Sequence, residues 1–308
     1  MTIGKLCVIG GNSFIGKNLE ADTKLSRQDC DLLDFDETKI ALKRIMPDSI
    51  INCAAKHGSI IEMSSNHVAY LEENLKINMN ILRAAHELDI NNVLLLGSVS
   101  SFPFEKKSLI TEEDFYLGPV NKVNFGYNSA KRMIVDLTET YQINHDRNYK
   151  VVHLGNIYGP HMRFGENATL VGNLIYRIHQ ALIHQIDLVL YGDGSDIRAL
   201  TYVKDLQGVL PSFMKNLSVR SPVIVSSGFE IGIKELASSL AQIMGFGGEI
   251  LFSGEGNLGQ RKVALSGILG SLLPYFEFTS LREGLISTVE WFKQEQGRPG
   301  SVGRASLS

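Results

Sequence analysis

A short apolar run from Lys5 to Ile9 is followed at once by Gly10-Gly11-Asn12-Ser13-Phe14-Ile15-Gly16, and Phe14, Ile15 and Leu19 then open a helix. Strand, glycine turn and helix in direct succession confine the chain to the opening unit of an open, mostly parallel sheet. Gly10 and Gly11 permit the tight turn and a close approach of backbone to ligand, while Gly16 lets the helix pack on the sheet. The helix N-terminus then faces the pyrophosphate of a dinucleotide. Ser13 stands where a third glycine is usual. A plain glycine turn before a helix is the simpler alternative, and the place of this turn directly after the first strand argues against it.

The spacing beyond Gly16 is tight. Only about ten residues lead to Arg27, where a full helix and a second strand need nearer twenty, so the helix is short and the strand Thr23 to Ser26 is meagre. At the end of that strand Arg27 takes the place of an acid that would hold a ribose 2'-hydroxyl. A guanidinium there suits a 2'-phosphate, hence NADP rather than NAD, unless Arg27 is a solvated loop residue. Helix and strand then alternate. A helix carrying Ile40, Ala41 and Ile45 ends near Pro47 and leads to the strand Ser49 to Ala54; a helix with Leu71, Leu75, Met79 and Leu82 on one face leads to the strand Asn92 to Leu96. The expected fold is α/β, a doubly wound parallel sheet with a smaller α/β substrate-binding lobe.

Two segments bring small or polar residues to the carboxyl edge of this sheet, where ligands bind in such folds. Asn52-Cys53-Ala54-Ala55-Lys56-His57-Gly58-Ser59-Ile60 follows the third strand, with Cys53 read as a packed residue rather than a nucleophile and Asn74 and Asn80 as buttresses. Gly97-Ser98-Val99-Ser100-Ser101 follows the next strand, and a hydroxyl there can polarise a carbonyl, or merely cap a turn. Beyond a loop with Pro103, Gly118 and Pro119 comes Tyr127-Asn128-Ser129-Ala130-Lys131, a phenol and an ammonium on one helical face, held by an apolar stripe of Ala130, Ile134, Leu137 and Tyr141. A tyrosine's ordinary pKa is about 10, and a cation beside it favours the phenolate. Lys131 is therefore expected to lower the pKa of Tyr127. Tyrosine and lysine four apart also occur on many solvated helices, so the pair gains its meaning from its surroundings.

The 308 residues are 44% hydrophobic and 20% charged with a net charge of -3, which describes a globular chain without the dense basic patches that nucleic acid or membrane surfaces require. Cys7, Cys30 and Cys53 show neither a disulfide framework nor metal-ligand spacing, and no metal site is expected. With no secretory leader or spanning run, a cytoplasmic setting is expected.

The glycine turn, Ser98, the Tyr127–Lys131 pair and Gly155-Asn156-Ile157-Tyr158-Gly159-Pro160-His161 together resemble the extended short-chain dehydrogenase/reductase superfamily, the NAD-dependent epimerase/dehydratase family, and within it the GDP-L-fucose synthase branch. The resemblance runs from about Lys5 to Gln296 and takes in Cys30-Asp31-Leu32-Leu33-Asp34 and Gln260-Arg261-Lys262. It implies a catalytic set of Ser98, Tyr127 and Lys131. It implies cofactor contacts to NADP(H) from Gly10, Asn12, Ser13, Phe14, Ile15, Gly16, Arg27, Ala54, Ala55, Lys56, Tyr127, Lys131, Leu154 and Asn156. Substrate contacts fall on Ser98, Ser100, Asn156, Arg177, Arg198 and Lys262. Residues 1–160 with about 200–226 then form the NADP-binding domain, about 161–199 with 227–296 the sugar-nucleotide lobe, and 297–308 a disordered tail. A homodimer is implied, paired through the helices at Leu71 to His86 and Tyr127 to Gln142.

One departure narrows the expected chemistry. Where the branch carries a cysteine and a histidine that exchange protons on the sugar, this chain has Ser100 and Thr169, or Leu170 if the loop is aligned differently; His153 and His161 lie off those positions. A hydroxyl does no acid–base work near neutral pH. The expected reaction is NADPH-dependent reduction of the C4 ketone of a GDP-linked, or other nucleotide-linked, 4-keto deoxy sugar. A bifunctional 3,5-epimerase/4-reductase and a non-catalytic NADP-binding sensor or scaffold are the alternatives.

Overall fold

The structure is a computed structural model describing residues 3–103, 109–216, 219–220, 222–254 and 261–297. Its first half runs β1 (Leu6–Ile9), α1 (Phe14–Asn18), β2 (Thr23–Leu25), α2 (Phe35–Ile45), β3 (Ser49–Asn52), α3 (Ile60–Ser65), α4 (His67–Glu87), β4 (Asn92–Ser98), β5 (Leu109–Ile110), α5 (Phe125–His145) and β6 (Asn148–Leu154). The second half runs β7 (Asn156–Tyr158), α6 (Leu170–His184), β8 (Leu188–Tyr191), β9 (Ile197–Tyr202), α7 (Leu206–Lys215), β10 (Val223–Val225), β11 (Glu230–Gly232), α8 (Ile233–Met244), β12 (Ile250–Ser253), β13 (Arg261–Ala264), α9 (Leu269–Leu272) and α10 (Leu281–Gln296).

Every residue of β1, β3 and β10 is buried, as are the central residues of β4 and β6. Strands apolar on both faces must be covered on both faces, which is the condition of a parallel sheet wrapped by helices. They form one six-stranded sheet in the order β10-β6-β4-β3-β1-β2, with every neighbouring pair parallel. The order reverses at β1, so a crevice opens there beyond the strand ends. Helix starts are set by side chains that accept otherwise unpaired backbone N–H groups: Ser13 caps α1, Asp34 caps α2, Ser59 caps α3 in a reciprocal capping box with Glu62, and Asn66 caps α4.

The short spacing after Gly16 takes the expected form: α1 has five residues and β2 three. The apolar face of α4 differs from expectation. Its buried stripe is Tyr70, Asn74, Ile77, Asn78, Ile81, Leu82 and Ala85, while Met79 is exposed. Two asparagines on the inner face, bonded rather than apolar, displaced the stripe that hydrophobicity alone marks.

The chain divides into two compact units, the first of residues 1–155, 206–225 and 265–276 and the second of 156–205, 226–264 and 277–308. Residues 200–205, expected in the cofactor domain, join the second unit, and 265–276, expected in the lobe, join the first. The physical cause of the latter is Glu112, whose carboxylate accepts from Ile224 N, Ser266 Oγ and Gly267 N and so ties that segment to the end of the parallel sheet. In the second unit β9 pairs antiparallel with β11 and parallel with β7 and β13, and β8 pairs parallel with β12. Of the expected tail, only Gly297 falls within the described residues. Among those residues no helix is long and apolar enough to cross a membrane.

Candidate active site

At the reversal point a cleft of ≈ 440 Å³ opens within the first unit. Gly10 (φ +78°) adopts the left-handed conformation, and a Cβ on it would sit 2.6 Å from Ala54 N; on Gly16 a Cβ would run into the Gly10 carbonyl oxygen. Both glycines are thus required by the turn itself. Ser13 has its own reason to be a hydroxyl residue, since its Oγ accepts from Gly16 N at 3.1 Å and starts α1. Gly10, Asn12, Ser13, Arg27, Ala54, Ala55 and Lys56 line the cleft, as expected of cofactor contacts, whereas Phe14, Ile15 and Gly16 stand behind the lining in α1. Arg27 is exposed at the rim. A glycine cradle at a helix start, a cleft of this size and a guanidinium at the rim fit a dinucleotide with a 2'-phosphate.

The loop after β3 is held from beneath by buried amides. Asn52 Oδ1 accepts from Ala54 N at 2.9 Å, and its Nδ2 donates to Asn78 Oδ1 at 3.0 Å. Asn74 accepts from Lys56 N at 3.1 Å and donates to Lys56 O at 3.0 Å. Asn80 donates to Leu32 O at 2.9 Å and fixes another part of the cleft wall. Asn74 and Asn80 therefore buttress the cleft, while Asn52 and Asn78 were missed by sequence reasoning. The signal was an asparagine recurring every fourth residue on a face that should be apolar. Also missed were the wall residues Asp31, Leu32 and Leu33 and the residue His57.

Ser98, Tyr127 and Lys131 come together at the end of β4. Register places Ser98 opposite Leu154 of β6, which puts Leu154 beside the cluster rather than in the cleft lining. Tyr127 and Lys131 are only 9% and 4% exposed, one helical turn apart on α5. The Ser98 hydroxyl hydrogen-bonds the Tyr127 phenol. Lys131 Nζ donates to Leu96 O at 2.6 Å and lies 5.7 Å from the centre of the Tyr127 ring. Burial pushes the Tyr127 phenol up to about 12, opposed by the Ser98 hydrogen bond, and pushes the Lys131 ammonium down to about 8. This corrects the expectation that Lys131 would set the tyrosine low. Desolvation sets the phenol high, opposed by the Ser98 hydrogen bond, while the ammonium spends a hydrogen bond on a backbone carbonyl. A phenol at about 12 holds its proton at neutral pH, which makes it a proton donor. Cys53 is likewise pushed up to about 12 by burial, as befits a packed thiol.

Ser98 also caps the short turn Val99–Ser101, its Oγ accepting from Ser100 N at 3.3 Å, so the turn-capping role and the site role coexist. Ser100 Oγ lies 2.8 Å from Ser98 Oγ, in the same hydroxyl network as the phenol. His153 is wholly buried, its ring between Phe102 and Phe115, with Nδ1 3.2 Å from Ser98 O and 3.3 Å from Ser101 Oγ. Burial drives its pKa down to about 3, so it stays neutral. His57, which lines the cleft, stands beside the Tyr127 ring, the two ring centres 5.5 Å apart and the planes at 78°. Arg132 secures the loop over this region by donating to Ser101 O and Gly118 O. Phe104 to Ser108, within that loop, lie outside the described residues.

The remaining expected residues belong to the second unit. Arg198 of β9 and Lys262 of β13 are register partners in adjacent parallel strands, which brings those two together. Arg198 is paired with Asp196 at 2.9 Å. Arg177 on α6 donates to Val189 O of β8 at 2.5 Å. Arg261, next to Lys262 in sequence, is engaged by Glu230 of β11. Asn156 is exposed at the start of β7, its Nδ2 donating to Ala199 O at 3.0 Å. Thr169 caps α6 by position, without a side-chain bond, and the ring of His161 packs 4.9 Å from Trp291.

Residues 6–220 match the NAD dependent epimerase/dehydratase family. A probable GDP-L-fucose synthase of Drosophila melanogaster is 30% identical over 310 residues, covering 94% of this chain and 97% of that protein. Among solved structures, a GDP-L-fucose synthetase from Naegleria fowleri bound to NADP superposes with a TM-score of 0.88 at 24% identity, over 96% of this chain and 95% of that one. A GDP-mannoheptose C4 reductase from Campylobacter jejuni with NADP bound gives 0.81 at 21% identity, over 95% and 99%.

Proposed function

The chain belongs to the NAD dependent epimerase/dehydratase family, and we propose that it is an NADP(H)-dependent oxidoreductase reducing the C4 ketone of a GDP-linked 4-keto deoxy sugar. The observation that carries the reading is the Ser98–Tyr127–Lys131 cluster, its phenol and ammonium buried, beside a glycine-cradled cleft. NADPH bound in the cleft supplies the hydride. Tyr127, protonated at neutral pH, donates its proton to the carbonyl oxygen. Ser98, already bonded to the phenol, holds that oxygen as charge develops on it, and Lys131 supplies the positive charge that steadies the resulting phenolate.

The guanine nucleotide and the deoxy sugar rest on the relatives: the Drosophila protein is named a probable GDP-L-fucose synthase, and the Campylobacter neighbour a C4 reductase of a GDP-linked sugar. Arg177, Arg198 and Lys262 supply the second unit's cations for a diphosphate, and Asn156 and Ser100 are the polar groups for the sugar. Reduction without epimerisation is favoured by Ser100, a hydroxyl tied to Ser98 and without the acidity to exchange sugar protons. The exposed Val68, Met79, Phe125 and Met133 on and beside α4 and α5 support a two-fold dimer through these helices, which sedimentation equilibrium tests.

The deciding experiment follows NADPH oxidation against GDP-, dTDP- and CDP-linked 4-keto sugars in deuterated water. The reading expects turnover with a GDP sugar and no deuterium at C3 or C5. Label at those carbons means the bifunctional epimerase-reductase, and cofactor binding without turnover on any sugar means a sensor or scaffold.

A further inference from the structure

Gly97, the residue before Ser98, is the register partner of His153 in β6, and a Cβ on it would fall 2.5 Å from His153 Nδ1 and 2.7 Å from its Cε1. The glycine therefore makes room for an imidazole on the neighbouring strand. Glycine also gives the backbone its widest freedom, here one residue before the hydroxyl that has to meet the substrate carbonyl. The carbonyls on either side of it are both held. Lys131 Nζ donates to Leu96 O at 2.6 Å, while Ser98 O accepts from Ser101 Oγ at 2.7 Å and faces His153 Nδ1 at 3.2 Å.

The chemistry of these partners fixes the imidazole's tautomer. A carbonyl oxygen only accepts, and Ser101 Oγ, its own proton given to Ser98 O, offers Nδ1 a lone pair at 3.3 Å. Nδ1 therefore carries the proton of the neutral ring. Nε2 is then a bare acceptor, wholly buried, and it meets no partner among the described residues. The rings of Phe102 and Phe115 flank the imidazole, with centres at 5.2 and 5.0 Å. A buried acceptor without a partner opposes folding, and an apolar side chain of similar volume would not. Packing thus gives no reason for a histidine here, whereas the bond from Nδ1 does.

We propose that His153 is a positioning residue for the reduction, its Nδ1–H holding Ser98 O and so setting the direction in which the Ser98 hydroxyl meets Tyr127 and the substrate carbonyl. The inference rests on the ketoreductase reading. Holding Ser98 O fixes the peptide plane that follows Ser98, and with it the Val99–Ser101 turn that the Ser98 hydroxyl caps. Arg132 closes the same turn from its far end by donating to Ser101 O. The imidazole acts through this backbone and does not touch the substrate. Displacing a reacting group by about 1 Å costs on the order of a hundredfold in rate. The cofactor cleft is walled from the ends of β1, β2 and β3 and from α4, so such a displacement lowers kcat and leaves the KM for NADPH in place.

The test sets His153→Leu and His153→Asn beside the wild type, each as the full chain, with NADPH and the GDP-linked 4-keto sugar turned over in the panel above. Leucine fills the space of the imidazole and removes the donor. Asparagine puts an N–H where Nδ1 stands, one bond from Cγ, and leaves a void between the two phenylalanine rings. For His153→Leu the expected kcat is lower by about tenfold or more, with the KM for NADPH unchanged and a Tm at or above that of the wild type. For His153→Asn the Tm is lower and kcat stays within about threefold of the wild type. Rate and stability thus part company in opposite senses, whereas a merely structural histidine would make them fall together, with asparagine the slower. His153→Leu at the wild-type kcat overturns the proposal, and so does His153→Asn as slow as His153→Leu. Should His153→Leu not fold, His153→Met is read against the same outcomes; failure of both to fold makes His153 a packing residue and overturns the proposal. Nitrogen NMR of the wild type with labelled histidine reads the tautomer without any substrate: a proton on Nδ1 is expected, and a proton on Nε2 alone overturns the proposal. A wild type inactive across the panel overturns the ketoreductase reading and this inference with it, an outcome distinct from an active wild type with indifferent variants.

Discussion

The cleft at β1 and the cluster at the end of β4 share one sheet edge and are built on opposite principles. The cleft is made of backbone. Glycines at 10 and 16 exist to be empty of side chain, the asparagines beneath the third strand hold main-chain atoms, and Arg27, a charged residue at the rim, stands in solvent. The cluster is made of side chains taken out of water, where burial moves a phenol to about 12 and an ammonium to about 8. Binding a ligand that brings its own phosphates needs shape and backbone donors, and tolerates solvent. Moving a proton at a fixed place needs groups whose ionisation is set by exclusion of water, so the same edge carries both kinds of construction.

The comparison breaks most sharply at Tyr127. Tyr127→Phe keeps the ring, its contact with His57 and the helix packing, and removes the only proton the phenol has to give. The expected loss in kcat is on the order of a hundredfold to ten-thousandfold, with NADPH affinity near the wild-type value. A rate close to wild type would show that the proton comes from elsewhere. Ser98→Ala is expected next, at about a hundredfold to a thousandfold in kcat, because it removes one donor to the developing oxyanion and frees Ser100 Oγ from its partner. If Ser98 matters only as the cap of the Val99–Ser101 turn, the loss appears in thermal stability and not in the rate of the folded enzyme.

The same contrast explains what was legible in the sequence. Backbone constructions announce themselves, because a turn that admits no Cβ can only be written with glycine; Gly10 and Gly16 thus gave away the cleft and the topology around it. Tyr127 and Lys131 were legible as a spacing, since one helical turn always brings such a pair to one face. Their ionisation was not, since it depends on how much protein covers them and on Lys131 reaching Leu96 O, 35 residues back in the chain. The inner face of α4 misled for a related reason. Asn78 reads as a solvent-facing position, and Asn74, though expected as a buttress, lies off the apolar stripe, until their partners, Asn52 and Lys56, arrive from another strand's end. His57 was invisible as a site residue because its significance lies in touching Tyr127, 70 positions along, and no local pattern records that.

Proton chemistry also sharpens the contrast through pH. Lys131 loses its charge in the folded chain as pH rises through about 8, well below the ordinary lysine value, because burial disfavours the ammonium. If that charge steadies the phenolate, kcat/KM falls by about tenfold per pH unit above this point. Lys131→Met, which has no such ionisation, shows a low and level rate across the same range. The profile of cofactor binding, governed by the open cleft, stays flat there. A matching alkaline fall in NADPH affinity would mean that Lys131 belongs to the cleft and not to the proton.

The smallest effect is expected at Arg27. Arg27→Ala removes a rim charge exposed to water, so its attraction for a 2'-phosphate is screened by salt and shared with solvent. A charge-assisted bond of this kind is worth about a tenfold change in affinity. The KM for NADPH therefore rises roughly tenfold, the KM for NADH stays level, and kcat on saturating cofactor is unchanged. Raising the ionic strength erases much of the difference, which it does not do for Tyr127→Phe. Equal weakening toward both cofactors would make Arg27 a structural part of the wall, and the cleft would then owe its preference to Ser26, which also lines it.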